Sequence, residues 1–185
     1  PLTGLANRGL LHEFAQRSIN RARRRDRTVG LILVYLDFST LGDRGAGRRD
    51  EVMAAIAERL GDELREEDMI ARWGTQEFAV VLEEISRAED ARRVAEHLGQ
   101  ILRSPFLEAD GTELFVASSI GIAAFPGASD TVEGLIQSAE TAMLEARKTG
   151  RNTYHFYSST MQEEAEQRAA IEFHLRRSLT TNQFD

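Results

Sequence analysis

Side chains able to do chemistry gather at two places in this chain of 185 residues. The first is Arg72-Trp73-Gly74-Thr75-Gln76-Glu77-Phe78, where a Gly-Thr pair between two β-forming runs, 70–73 and 78–82, fits a tight hairpin turn. Gly74 is read as the residue free to take positive φ. Gln76 and Glu77 then stand at the turn edge, where a polar side chain can meet a ligand; a plain β-hairpin uses the same residues and needs none. The second is Arg147 with Arg151, four residues apart at the end of a helical segment. That spacing lets two guanidiniums hold one anion, and it equally suits two solvated cations beside a helix C-terminus. His12, His97, His155 and His174 are scattered without metal-ligand spacing and are assigned no chemistry.

Periodicity predicts the elements that position these residues. Gly9 to Arg25 is a helix with Leu10, Phe14 and Ile19 on a loose apolar face. Val29 to Phe38, nearly all apolar, is a buried central strand. After a loop rich in glycine and arginine, Ser39 to Arg49, Asp50 is placed as the N-cap of a helix reaching Glu67. Arg87 to Arg103 is a further helix, Leu114 to Phe125 a long strand, Thr131 to Lys148 a helix and Tyr154 to Phe156 a last short strand. This order predicts an α+β fold, a mostly antiparallel central sheet flanked by helices.

The net charge of −7 argues against a general nucleic-acid binder. The basic cluster Arg21 to Arg27 reads as the solvated end of the first helix. No apolar run approaches the ~18 residues of a membrane span. The lack of cysteine removes disulfides and thiolate metal sites and fits a reducing cytoplasm.

Four segments, in order, resemble the landmarks of the GGDEF (diguanylate cyclase) domain family. Leu2-Thr3-Gly4-Leu5-Ala6-Asn7-Arg8 is similar to its opening LTGLxNR, and Gly74-Thr75-Gln76-Glu77-Phe78 to its signature. Ser119-Ile120-Gly121-Ile122-Ala123 is similar to its SIGIA strand, and Ala139 to Asn152 to its helix ending in GRN. The resemblance implies a ferredoxin-like nucleotidyl-cyclase fold over residues 1–157, cut at Pro1 from a longer bacterial protein. Active relatives join two GTP molecules into cyclic di-GMP, each 3′-hydroxyl attacking the α-phosphate of the other nucleotide, with carboxylates holding divalent ions.

Against that pattern, Tyr35 stands where one metal-binding carboxylate lies, Asp37 matches a second acid two residues on, and Gln76 replaces the first acid of the signature. Thr75 takes the place of a glycine that lets nucleotide approach, and Glu77 alone remains of the acidic set. The resemblance makes Asp50 a guanine-binding residue, though a helix cap explains it as well, and gives Gly74, Arg147 and Arg151 nucleotide contacts. The guanine-contacting asparagine of active relatives has no counterpart. Arg65 and Asp68 fit the RxxD motif that binds cyclic di-GMP as an inhibitor in many relatives, or an ordinary i,i+3 helix pair.

The expected function is a catalytically inactive regulatory or nucleotide-binding module in cyclic di-GMP signalling. The alternatives are a weak cyclase recruiting metal through Glu77 and Asp37, and a dimerisation scaffold without ligand. No cofactor is expected, with Mg2+ entering only alongside bound GTP. Ser158 to Leu179 is predicted as an amphipathic helix, and 158–185 as a linker towards an EAL-type phosphodiesterase domain. GTP, cyclic di-GMP, that downstream domain and a second copy of the chain are the expected partners.

Overall fold

The computed structural model describes residues 5–39, 48–108, 110–158, 171 and 173–178. Leu2 to Gly4 of the opening motif, most of the loop expected at 39–49, and most of the helix expected from Ser158 to Leu179 lie outside them. Among the described residues up to Phe156, eleven elements follow one another: α1 (Arg8–Arg25), β1 (Thr28–Asp37), α2 (Arg49–Gly61), β2 (Met69–Gly74), β3 (Glu77–Ile85), α3 (Ala88–Leu102), β4 (Phe106–Leu107), β5 (Glu113–Leu114), β6 (Ala117–Phe125), α4 (Val132–Thr149) and β7 (Thr153–Phe156).

The main sheet has the order β2-β3-β1-β6-β7, antiparallel throughout except for the parallel β6/β7 pair. The apolar run predicted as a central strand is β1, paired on both sides. Its alternate residues feed two cores. Ile32, Val34 and Leu36 pack with Met53, Ile56, Leu98 and their neighbours under α2 and α3. Leu31 and Leu33 pack with Ile19, Leu135 and Met143 under α1 and α4. A strand covered on both faces has no polar side to show, which is why this one reads as continuous apolar sequence.

Three expectations are corrected. The second helix stops at Gly61, where Glu63 and Leu64 close tighter three-residue turns onto Leu60 and Gly61. Gly61-Asp62 breaks a run of better helix formers, so the chain leaves the helix before Arg65. Asp50 is not the N-cap: Arg48 holds that position, and Asp50 lies exposed in the first turn, where a carboxylate still complements the helix dipole. The long strand begins at Ala117, because Leu114 belongs to a small separate hairpin with Phe106–Leu107. Gly111 at φ 87 and the Asp110 carboxylate, which accepts from the Thr112 N–H at 2.9 Å, turn that segment back on itself.

Candidate functional site

The pleat of β1 puts Tyr35 and Asp37 on the face covered by α1 and α4. In register, Tyr35 faces Glu77 on β3 and Ser119 on β6, so all three side chains share that face. The next residue of this row on β6 is Gly121. A Cβ there would lie 2.2 Å from the Ala139 carbonyl oxygen and 2.3 Å from the Met143 nitrogen, so the missing side chain lets α4 rest directly on the sheet. Arg147, one turn after Met143, is thereby brought over Tyr35, its guanidinium carbon 3.8 Å from the ring centroid.

Beyond α4 the chain is locked by side-chain bonds to the backbone. Gly150 takes φ 149 and Asn152 the left-handed region at φ 56, and the Asn152 side chain accepts from the Ser118 N–H at 3.1 Å. Thr153 Oγ1 donates to the Ala146 carbonyl at 2.7 Å. This turn delivers Arg151 to within 4.0 Å of the Asp37 carboxylate. Tyr35, Asp37, Ser119, Arg147, Gly150 and Arg151 line an open pocket of about 370 Å3. Asp37 accepts from the Ser39 N–H at 2.9 Å, and that bond, then the Ser39 hydroxyl and the two arginines, hold its carboxyl below the usual carboxylate range. Asp50 does not line this pocket.

The signature turn is a two-residue link, Thr75-Gln76, between Gly74 and Glu77. Neither Gly74 nor Thr75 takes positive φ, which corrects the reading of Gly74. A Cβ on Gly74 would meet the Glu77 carboxylate at 3.1 Å, so the glycine makes room for that side chain instead. Gln76 enters through its backbone, its carbonyl accepting from the Leu36 N–H at 2.8 Å. Two arginines brace the turn. Arg72 donates to the carbonyls of Gly74 at 2.6 Å and Thr75 at 2.7 Å, and Arg8 donates to that of Trp73 at 2.6 Å while stacking on its ring.

A divalent-cation centre of clustered carboxylates does not fit these residues. Among the described residues no three His, Cys, Asp or Glu side chains converge on a possible metal position. Asp37 is tied to Ser39, Glu77 lies against Gly74, and Tyr35 offers a phenol, a poor ligand for a hard cation.

Arg65 and Asp68 form a second arrangement, in a turn and not on a helix. Arg65 donates through Nε and Nη2 to the two Asp68 oxygens at 3.3 and 3.0 Å, and through Nη2 to the Glu83 carbonyl at 2.8 Å. Asp68, only 3% exposed, also accepts from the backbone N–H groups of Arg65 and Glu83. The pair borders a cleft of about 300 Å3 that also holds Arg27, Glu84, Ser86 and Asp90. Arg27, expected at the solvated end of the first helix, instead lines this cleft. The left-handed Asp26, closing α1 through its N–H to Ala22, turns the chain so that Arg27 reaches the Glu84 carbonyl at 3.2 Å. Sequence reasoning also missed Arg8 and Arg72; an arginine two residues before a turn glycine was the only local sign.

The sequence pattern described as diguanylate cyclase, GGDEF domain, matches residues 1–153. The chain is 34% identical over 184 residues to the bifunctional diguanylate cyclase/cyclic di-GMP phosphodiesterase MucR of Pseudomonas aeruginosa, covering 98% of this chain and 27% of that protein. It is 28% identical to the cyclic di-GMP phosphodiesterase NbdA of the same organism, covering 100% of this chain and 24% of NbdA. The chain thus spans about a quarter of the length of these relatives. The crystal structure of the GGDEF domain of TpbB from Pseudomonas aeruginosa superposes with a TM-score of 0.80 at 29% identity, covering 84% of this chain and 98% of that one. The family pattern and the fold agree: the chain belongs to the GGDEF, diguanylate cyclase, domain family.

Proposed function

We propose that this GGDEF domain is catalytically inactive and serves as a nucleotide-binding regulatory module in cyclic di-GMP signalling. The observation that carries this reading is the Tyr35–Arg147 stack in the wall of the open pocket. Joining two GTP molecules needs cations that neutralise the phosphates and lower the pKa of the attacking hydroxyl. A pocket with two guanidiniums, one hydrogen-bonded carboxylate and a phenol is suited to holding an anion and unsuited to that activation. Synthesis through Asp37 and Glu77 would have to hold the cations with two carboxylates, since Tyr35 and Gln76 bring no charge.

The Arg65/Asp68 cleft is the reading's second ligand site, for cyclic di-GMP. Arg65 and Arg27 supply the guanidinium groups facing a phosphate or guanine edge, while Asp68, spent on Arg65 and the backbone, positions the arginine. The proposed setting is a larger bacterial, cytoplasmic protein in which 158–185 leads to an EAL-type domain. The naming of MucR and NbdA as phosphodiesterases, with similarity running the length of this chain, supports that setting. Among the described residues no helix is long and apolar enough to cross a membrane.

Calorimetric titration of the chain with GTP and with cyclic di-GMP tests the proposal. Binding of both is expected. Binding of neither reduces the domain to a scaffold, which a dimer in solution would then favour, and appearance of product during the GTP titration would make it a cyclase.

A further inference from the structure

The nucleotide pocket has a charge arrangement that follows from Tyr35. Pairing of β1 on both sides fixes the backbone that carries the ring, and Gly121 fixes the height of α4 above it. Among the described residues Arg147 makes no hydrogen bond or ion pair, its contact being the ring face at 3.8 Å. A guanidinium lying on a ring spends its face and keeps its N–H donors, which all point outward in its plane. Arg151 stands 4.0 Å from Asp37 with its side chain 61% exposed, a loose pairing that leaves donors for a ligand. Asp37, the one carboxylate among the described lining residues, is already bonded to the Ser39 N–H. Among the described residues of the lining, two cations against one anion give a net positive pocket, and no three carboxylate or imidazole groups converge there to hold a cation.

We propose that the Tyr35–Arg147 stack makes this pocket a triphosphate site that works without a divalent cation, selecting the free nucleotide over its magnesium complex. The inference rests on the reading that the pocket binds nucleotide, and it adds which form is bound. The two guanidiniums supply the positive charge that a cation supplies in an acidic site. Magnesium masks the phosphate oxygens these arginines would contact and lowers the ligand's negative charge, so it competes with the protein for the same groups.

The test is titration of GTP into the chain in EDTA and in excess magnesium, with melting curves confirming that each variant is folded. Affinity in EDTA equal to or higher than in magnesium is expected. Arg147→Gln should weaken GTP in EDTA by about tenfold or more. Asp37→Asn should tighten it by about two- to fivefold, since it removes the one repelling charge among the described lining residues. In a metal site the same substitution would weaken binding. GTP binding that needs magnesium, that is lost in Asp37→Asn, or that is unchanged in Arg147→Gln overturns the metal-free site while leaving nucleotide binding intact. No GTP binding under either condition removes the nucleotide reading of the pocket and this inference with it.

Discussion

Arg147 and Arg65 each border a cleft, and they are held in opposite ways. Arg147 rests on an aromatic face, with its donors unspent among the described residues. Arg65 is knotted through Nε and Nη2 to a nearly buried carboxylate and a main-chain carbonyl, so it is oriented before any ligand arrives. A ring positions a cation without consuming its hydrogen bonds, whereas a carboxylate fixes direction and takes donors in exchange. The first arrangement suits an anion of variable geometry such as a triphosphate, and the second a rigid ligand met in one pose.

The sharpest way to break this contrast is Arg65→Ala. It should cut cyclic di-GMP affinity by 2 kcal/mol or more, about thirtyfold, and leave GTP affinity unchanged by calorimetry. Equal losses for both ligands would mean a single coupled site. Gly121→Ala probes the other region, since its Cβ would strike the α4 backbone. Denaturant titration should show a loss of about 1–3 kcal/mol, and GTP binding should suffer more than cyclic di-GMP binding as Arg147 is displaced. Arg27→Ala, exposed and bonded to a carbonyl, should weaken cyclic di-GMP by about two- to fivefold. The smallest effect is expected from cutting the chain after Tyr157, whose N–H donates to the Ile122 carbonyl of the sheet. Ile171, Phe173 and Leu175 beyond it are exposed, so the melting temperature should move by less than about 2 °C. Unfolding of the truncated chain would place the tail in the core.

Much of the fold was legible because it rests on patterns along the chain. The apolar run of β1 marked the sheet centre, and helical spacing of Ala91, Ala95, Leu98 and Leu102 located α3. The order of segments identified the site-bearing elements, including the turn with Gln76 and Glu77. What stayed hidden was set by bonds between distant residues. Arg8 and Arg72 hold the turn through carbonyls, and Arg59 fastens α2 by donating to the carbonyls of Ser104 and Pro105, contacts with no periodic trace. Helix propensity carried α2 too far because it could not register that Asp68 meets the Glu83 backbone from outside a helix. Gly74 was misread for a related reason. Its role depends on where the Glu77 carboxylate lies and not on its own φ.

In the proposed module the Tyr35–Arg147 stack holds phosphate without activating it. The decisive experiment is overnight incubation of the chain with GTP and magnesium or manganese, read by chromatography. GTP should remain intact, with no cyclic di-GMP above a control without protein. Product well above that control would contradict the claim and place a working metal site on Asp37 and Glu77.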